Sequence, residues 1–259
     1  MSESLVIIPT YKERENVEDV IRTVFGLATA FDVLIIDDGS PDGTAEIVKK
    51  LQEEFKGLHL IEREGKMGLG TAYIVGFKYA LENGFEYIFE MDADFSHDPK
   101  DLVKLLDACK HQGHDMAIGS RYIGGVNVVN WPMGRVLMSY FASIYVRLIT
   151  GLPINDSTAG FKCYRRHVIE TLKPHENIKF IGYAFQIEMK FNAWKHGFKI
   201  KEVPIIFTDR TKGESKMSSG IFREAVIGVL EMKIRSLFKK YQPVHVSQTG
   251  SILSAESSK

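Results

Sequence analysis

Cysteine is scarce. Cys109 and Cys163 stand 54 positions apart in unrelated settings, which excludes a disulfide scaffold and matches no zinc or redox spacing, so reduced thiols are expected. Net charge is missing too: 33 Lys and Arg offset 33 Asp and Glu. The chain therefore lacks the basic excess that a general nucleic-acid binder needs to neutralise phosphates. No apolar run reaches the roughly 18–20 residues of a spanning helix, and the opening MSESLVIIPTYKERE is too short in apolar residues for a secretion signal. The expectation is a protein that is soluble or touches a membrane from one side. Neither GxGxxG nor the Walker GK[ST] occurs; the nearest segment, Gly65-Lys66-Met67-Gly68-Leu69-Gly70, reads as a closely packed turn. What is present is ordinary for a globular chain, with 44% hydrophobic and 25% charged residues. The 259 residues suffice for one large domain or two small ones.

The first 120 residues alternate short apolar runs with amphipathic ones. Residues 5–8, 33–36, 58–61, 87–91 and 116–119 predict buried strands. Val17, Val20, Ile21, Val24 and Ala28 make one helical stripe, and Leu102, Leu105, Leu106 and Cys109 another, with Asp98 as N-cap and Pro99 at the first helical position. Gly84 and Gly113 fall where helices should stop. Strands alternating with helices imply an α/β fold with a mostly parallel, doubly wound, Rossmann-like sheet. Further on, residues 133–150, 182–196 and 218–240 predict helices, 155–172 a mixed segment, 202–207 a strand and 208–217 a polar loop. The last 19 residues, 241–259, are Ser-rich and aperiodic and read as a disordered tail.

In open α/β sheets ligands bind at the carboxyl ends of the strands, so the residues after each strand locate the site. They are Pro9-Thr10-Tyr11-Lys12-Glu13, Asp37-Asp38-Gly39-Ser40-Pro41-Asp42-Gly43, Asp92-Ala93-Asp94-Phe95-Ser96 and Ser120-Arg121-Tyr122. Asp92-x-Asp94 carries the most chemistry. In extended backbone the two carboxylates project to one side, about 6.6–6.8 Å apart along the strand, and would repel unless a cation joins them. Such hard oxygen ligands favour Mg²⁺ or Mn²⁺ completed by substrate phosphates and water; a solvated loop with two acids is the plain alternative. Asp37-Asp38 suits a ribose or base edge, while turn chemistry accounts for residues 40–43, with Asp42 capping the next helix. In the second half, Arg121, Arg135, Arg210 and Lys216 lie in or beside loops. Residues 208–217 (TDRTKGESKM) fit a cationic lid over phosphates or a solvated loop. His97, His111 and His114 read as surface histidines, and the Asn155-Asp156-Ser157 sequon as fortuitous.

IPTYKERENV, IIDDGSPDGT, GLGTAYIVGF, MDADFSHDP, GSRY and DRTKGESKM occur in this order over residues 5–217. Together they closely resemble dolichol-phosphate (polyprenol-phosphate) mannosyltransferases, inverting glycosyltransferases of the GT-A fold. The resemblance implies a catalytic domain over residues 1–217 that transfers mannose from GDP-mannose to polyprenyl or dolichyl phosphate, giving a β-linked sugar. It further implies nucleotide contacts at Pro9, Tyr11 and Glu13, with Ile36 and Asp38 around base and ribose. Asp92, Ala93 and Asp94 would hold the metal and the sugar nucleotide, and Arg121, Arg210 and Lys216 would contact phosphates or sugar, with Asp92, Asp94 and Arg121 catalytic. Ser96 stands at the third metal-ligand position, which some archaeal members fill with Gln. Several relatives continue into transmembrane helices; here attachment to the cytoplasmic face of a membrane is expected to be peripheral or supplied by a partner subunit.

The inventory suits that chemistry. A lipid phosphate is already anionic near neutral pH and needs no strong general base; two anions must be positioned and the leaving diphosphate neutralised. For membrane contact, residues 136–149 (VLMSYFASIYVRLI) are apolar around most of a helix, with Arg135 placed for a headgroup. In 218–240, Phe222, Val226, Val229, Leu230 and Leu237 can share a face near Lys233, Arg235, Lys239 and Lys240; ordinary core helices are the alternative. The competing functions are a sister transferase using UDP-glucose or another nucleotide sugar, a DxD phosphatase, whose acid pair would follow the first strand, and a non-catalytic nucleotide-binding scaffold.

Overall fold

The computed structural model describes residues 2–210 and 219–241. Its sheet has the order β3-β2-β1-β4-β7-β5-β8, from β1 (Ser4–Thr10), β2 (Asp32–Asp37), β3 (Leu58–Glu62), β4 (Tyr87–Glu90), β5 (Met116–Ser120), β7 (Lys162–Arg165) and β8 (Ile200–Pro204). A two-stranded ribbon pairs β6 (Val128–Val129) with β9 (Phe207–Thr208). The five strands read from apolar runs are all present and mutually parallel where they pair. The α/β expectation therefore holds. The strand at 202–207 is two, broken around Ile205.

Both faces of the sheet are covered, which is why its strands are continuous apolar runs instead of alternating ones. Val6, Ile8, Val33, Ile35 and Phe89 point into one core with α1 (Val17–Phe25), α2 (Thr44–Glu54) and α4 (Asp101–Lys110). Leu5, Ile7, Leu34, Ile36 and Ile88 point into the other, with α3 (Leu69–Glu82), α6 (Arg166–Leu172) and α8 (Tyr183–Lys195). A single turn, α7 (Pro174–Asn177), links the last two. Gly70 lets α3 lie against α8: a Cβ there would meet the Phe185 ring at 2.9 Å. The Gly65–70 segment is thus a packing device, as its lack of a phosphate fingerprint suggested. Gly84 and Gly113 stop their helices in the left-handed region (φ 77° and 73°).

The mixed segment 155–172 resolves into β7 and α6. β7 runs antiparallel to both β4 and β5, so the residues before it, not after it, lie at the carboxyl edge of the parallel strands. Cys109 and Cys163 are free and buried, but their settings are not unrelated: the Cys109 thiol lies 3.8 Å from the Cys163 carbonyl oxygen.

Two further helices, α5 (Met133–Thr150) and α9 (Ser219–Phe238), lie side by side against the second core, with the Tyr145 hydroxyl donating to the Val226 carbonyl (3.0 Å). Val229 and Met232 dock α9 on the core, so Val229 does not share the exposed face with Leu230 and Leu237 that the helical pattern proposed. The outer stripe is Ile227, Leu230, Ile234, Leu237 and Phe238. Residues 242–259, most of the expected tail, lie outside the described residues.

Candidate functional site

The carboxyl ends of β1, β2, β4 and β5 meet as the parallel topology requires. After β1, Tyr11 carries the ammonium groups of Lys12 and Lys66 near its ring, each 5.6 Å from the centroid. Glu13 is buried, accepting from the Asn16 amide (2.9 Å), with its own N–H on Thr44 Oγ1 (3.1 Å). After β2 the two aspartates separate in role. Asp37 is turn architecture, accepting from Thr10 Oγ1 (2.9 Å) and from the Ser40 amide and hydroxyl (2.8 and 2.6 Å). Asp38 turns to the edge and takes the Arg63 Nε–H (2.7 Å), while Arg63 also reaches Thr71 (2.8 Å). Asp42 does cap, one position early, accepting from the Thr44 N–H and hydroxyl (3.2 and 2.6 Å).

After β4, Asp94 is buried, with Oδ1 on the Ser96 N–H (3.0 Å) and Oδ2 2.7 Å from Arg210 Nη2. Asp92 is 40% exposed in a recess. That desolvating recess, Asp94, Glu90 and Glu13 together push its carboxyl up to about 7, against the pull of Arg210. His97 is not a surface histidine. It is buried, stacked on Phe161 (4.9 Å), and its Nδ1 accepts the Asp92 N–H (3.4 Å); burial holds its pKa down at about 4, so the ring is neutral. His111 is exposed and His114 half-buried.

The cations are engaged with protein acids. Arg121 is buried and bound in a fork to Asp156, Nε to Oδ2 (2.7 Å) and Nη2 to Oδ1 (2.6 Å), with its own N–H on Oδ2 (2.9 Å). Aromatic rings of Tyr122, Trp131 and Phe207 surround its guanidinium at 5.3–5.5 Å. Arg135, at the first turn of α5, donates to Asp209 (2.8 Å) and sits 4.2 Å over Trp131. The Thr208 N–H on the Ser96 carbonyl (3.3 Å) and the Asp209 N–H on Val129 (3.0 Å) carry Arg210 to Asp94. The start of the expected lid is therefore latched to the acid pair. Lys216 and the rest of 211–217 lie outside the described residues.

The side chains of Ile36 and Ala93 are buried in opposite cores, which leaves their backbone atoms for any contact with a ligand. Pro9 is half-buried at the edge, and Ser96 is buried with its amide orienting Asp94. A further polar layer escaped the sequence reading. Glu90 holds Lys162 Nζ (2.9 Å) and the Tyr164 hydroxyl (2.7 Å); Lys162 also donates to Gln186 Oε1. Lys190 donates to the Ser157, Ala159 and Gln186 carbonyls (2.9, 2.6 and 3.1 Å). Burial drives its pKa well down, with Lys162 adding. Glu202 grips the loop before β7 through the N–H groups of Asn155 and Asp156 (both 2.9 Å). The only hint in sequence was a lysine inside the apolar run FKCY.

Could this edge hold a divalent cation? Among the described residues no three His, Cys, Asp or Glu side chains converge as a full ligand set. Yet the crowding that raises Asp92 calls for positive charge, and an all-oxygen pair, Asp92 and Asp94, suits Mg²⁺ or Mn²⁺ completed by phosphate and water. The residues fit.

The glycosyl transferase family 2 model matches residues 5–173. The chain is 44% identical over 233 residues to a polyprenol monophosphomannose synthase of Mycolicibacterium smegmatis, covering 90% of this chain and 87% of that one. It is 42% identical over 225 residues to an undecaprenyl-phosphate mannosyltransferase of Micrococcus luteus, covering 87% and 91%. In fold it is similar to glucosyl-3-phosphoglycerate synthase from Mycobacterium tuberculosis, solved with Mn²⁺, UDP and glucosyl-3-phosphoglycerate. That likeness has a TM-score of 0.63 at 15% identity and covers 94% of this chain and 83% of that one. The chain belongs to glycosyl transferase family 2 and has the GT-A fold, as its motifs implied.

Proposed function

We propose that this glycosyltransferase moves mannose from GDP-mannose to the phosphate of a polyprenyl lipid, with inversion, using Mg²⁺ or Mn²⁺ held by Asp92 and Asp94. The observation that carries the reading is a continuous path from acid pair to apolar surface. Asp94 pairs with Arg210, the adjacent Asp209 pairs with Arg135, and Arg135 opens α5, whose outer side chains Leu137, Met138, Phe141 and Leu148 are exposed. A charged centre for a sugar diphosphate thus sits beside a surface fit for a lipid, and the relatives' names supply mannose and polyprenyl phosphate as the substrates. The bound cation would neutralise the leaving diphosphate. Tyr11, Glu13 and Asp38 line the side where the nucleotide would lie. His97, neutral and with Nδ1 occupied, is no base, and an anionic phosphate nucleophile needs none.

A transfer assay with polyprenyl phosphate and a panel of GDP-mannose, UDP-glucose and other nucleotide sugars tests this. Mannosyl transfer should dominate and stop on EDTA treatment, returning with Mg²⁺ or Mn²⁺. Preferred turnover of UDP-glucose would replace the donor, and full-rate transfer after EDTA would remove the metal.

The same reading places the protein on the cytoplasmic face of a membrane without crossing it. Among the described residues no helix is long and apolar enough to span. Leu148 (79% exposed) on α5 and Phe238 (84%) on α9 belong to the outer apolar stripes, with Arg235, Lys239 and Lys240 at the end of α9 for anionic headgroups. Flotation with anionic liposomes should carry the protein up. The Leu148→Glu/Phe238→Glu double variant should stay at the bottom while still hydrolysing soluble donor. If the unaltered protein fails to float with polyprenyl phosphate and donor present, a partner subunit must bring it to the bilayer.

A further inference from the structure

Gln186, in the first turn of α8, is 2% exposed, and its Nε2 has no hydrogen-bond partner among the described residues. A buried amide N–H left unpaired is destabilising because it has lost its water partner, so such a group asks for an explanation. Its orientation is set by chemistry: Lys162 Nζ, a pure donor, faces the other end of the amide, which must therefore be the oxygen. The nitrogen then points towards Gly160. A Cβ built on Gly160 would meet two atoms within 4 Å, Gln186 Nε2 at 3.7 Å and Asp92 Oδ2 at 4.0 Å. Gly160 is only half-buried. The methyl-sized space beside Gly160 is therefore bordered by a hydrogen-bond donor and an acceptor. Glycine keeps it clear.

We propose that Gln186 and Asp92 together recognise hydroxyl groups of the donor sugar, with Gln186 Nε2–H donating and the Asp92 carboxylate accepting. This rests on the reading of the protein as a nucleotide-sugar transferase. A hydroxyl, or a vicinal pair on a pyranose, is the group that satisfies both walls at once, because it accepts and donates. An ionised phosphate oxygen can accept from the amide but has no hydrogen to donate to the carboxylate; an ammonium can donate to the carboxylate but cannot accept from the amide. Gln186 is thus a specificity-determining residue. Glu90, Lys162 and Tyr164 behind it fix which way its amide faces, and Lys190 ties its helix to the loop that carries Gly160. A site built to bond a substrate hydroxyl discriminates strongly against an analogue lacking it, because the buried polar group is then left unpaired.

The test crosses enzyme variants with substrate analogues. For whichever nucleotide sugar the full-length protein turns over best, the parent sugar and its single-deoxy analogues are compared in kcat/KM for the natural protein, Gln186→Met and Gly160→Ala. Gln186→Met keeps length but removes the donor, and Gly160→Ala fills the gap with a methyl at ordinary contact distances. With the parent sugar both should lose about tenfold or more in kcat/KM. The loss that the natural enzyme suffers on one particular deoxy analogue should nearly vanish in Gln186→Met. Unchanged kinetics in both variants would overturn the assignment, as would an equal loss on every analogue with no coupling to any hydroxyl. If Gln186→Met does not fold, Gly160→Ala decides: a raised donor KM supports the gap as a sugar subsite, and a natural KM and kcat reject it. A donor other than GDP-mannose would correct the proposed substrate while leaving this test intact, since its analogues are those of the sugar used.

Discussion

Asp94→Asn should leave a folded protein whose transfer rate is about 10²–10³-fold lower, the scale on which loss of a charge-stabilising group in an active site is felt. The substitution is nearly isosteric. An amide oxygen can still accept the Ser96 N–H that Asp94 Oδ1 takes at 3.0 Å, so the loop after β4 keeps its shape. What disappears is one negative charge at a point where Arg210 now sits 2.7 Å away and where a divalent cation would be held. Hard cations bind neutral amide oxygen far less well than carboxylate, and Arg210 loses the partner that draws it to the site. Single-turnover transfer with saturating GDP-mannose and polyprenyl phosphate, beside a thermal melt, checks both halves. A rate within about threefold of the natural protein would show that the charge at Asp94 is not used for charge stabilisation.

The sequence made this residue visible because of where parallel strands end. Each strand read from an apolar run fed into a segment at one edge, so the groups after β1, β2, β4 and β5 could be gathered before any coordinates. The same logic hid the opposite wall. β7 is antiparallel, and Asp156 and Gly160 reach the edge by preceding their strand and Lys162 by opening it; a search for residues after strands passes over them. Lys162 also breaks the apolar pattern of a short strand, and the pattern read there was a mixed segment. Pairing partners were illegible for a different reason. The fork between Arg121 and Asp156 joins residues 35 apart, and nothing local in either segment announces the other. For Ile36 and Ala93 the sequence could not tell side chain from backbone, and both side chains lie in the core. The helices α5 and α9 were readable as apolar, but which of their faces was buried depended on the contact each makes with the rest of the fold.

Asp156→Asn should lower stability by about 3–5 kcal/mol, the usual result of removing one partner from a buried ion pair, and so lower the melting temperature by roughly 10 °C for a chain of this size. Asp156 is fully buried, and three N–H groups of Arg121 converge on its oxygens. Burial pushes its carboxyl up, yet the charge of Arg121 and those hydrogen bonds outweigh it and hold the pKa below the ordinary carboxylate range. A carboxyl depressed in the folded state stabilises fully above its unfolded pKa, about 3.9. That contribution fades as pH falls through the lower folded value. The gap in melting temperature between the natural protein and Asp156→Asn should therefore stay level from pH 5 to pH 8 and narrow only below about pH 4. The direction matters for Arg121, for which the family resemblance implies a phosphate or sugar contact. With its fork closed on Asp156 and aromatic rings around the guanidinium, its first task is to lock the loop before β7 against β5, and with it Gly160. Replacing both partners by apolar residues, Arg121→Met with Asp156→Leu, should recover most of the lost stability, because no charge is then left buried alone. If instead Asp156→Asn melts like the natural protein while donor KM rises sharply, the pair is not structural and Arg121 acts on the substrate directly.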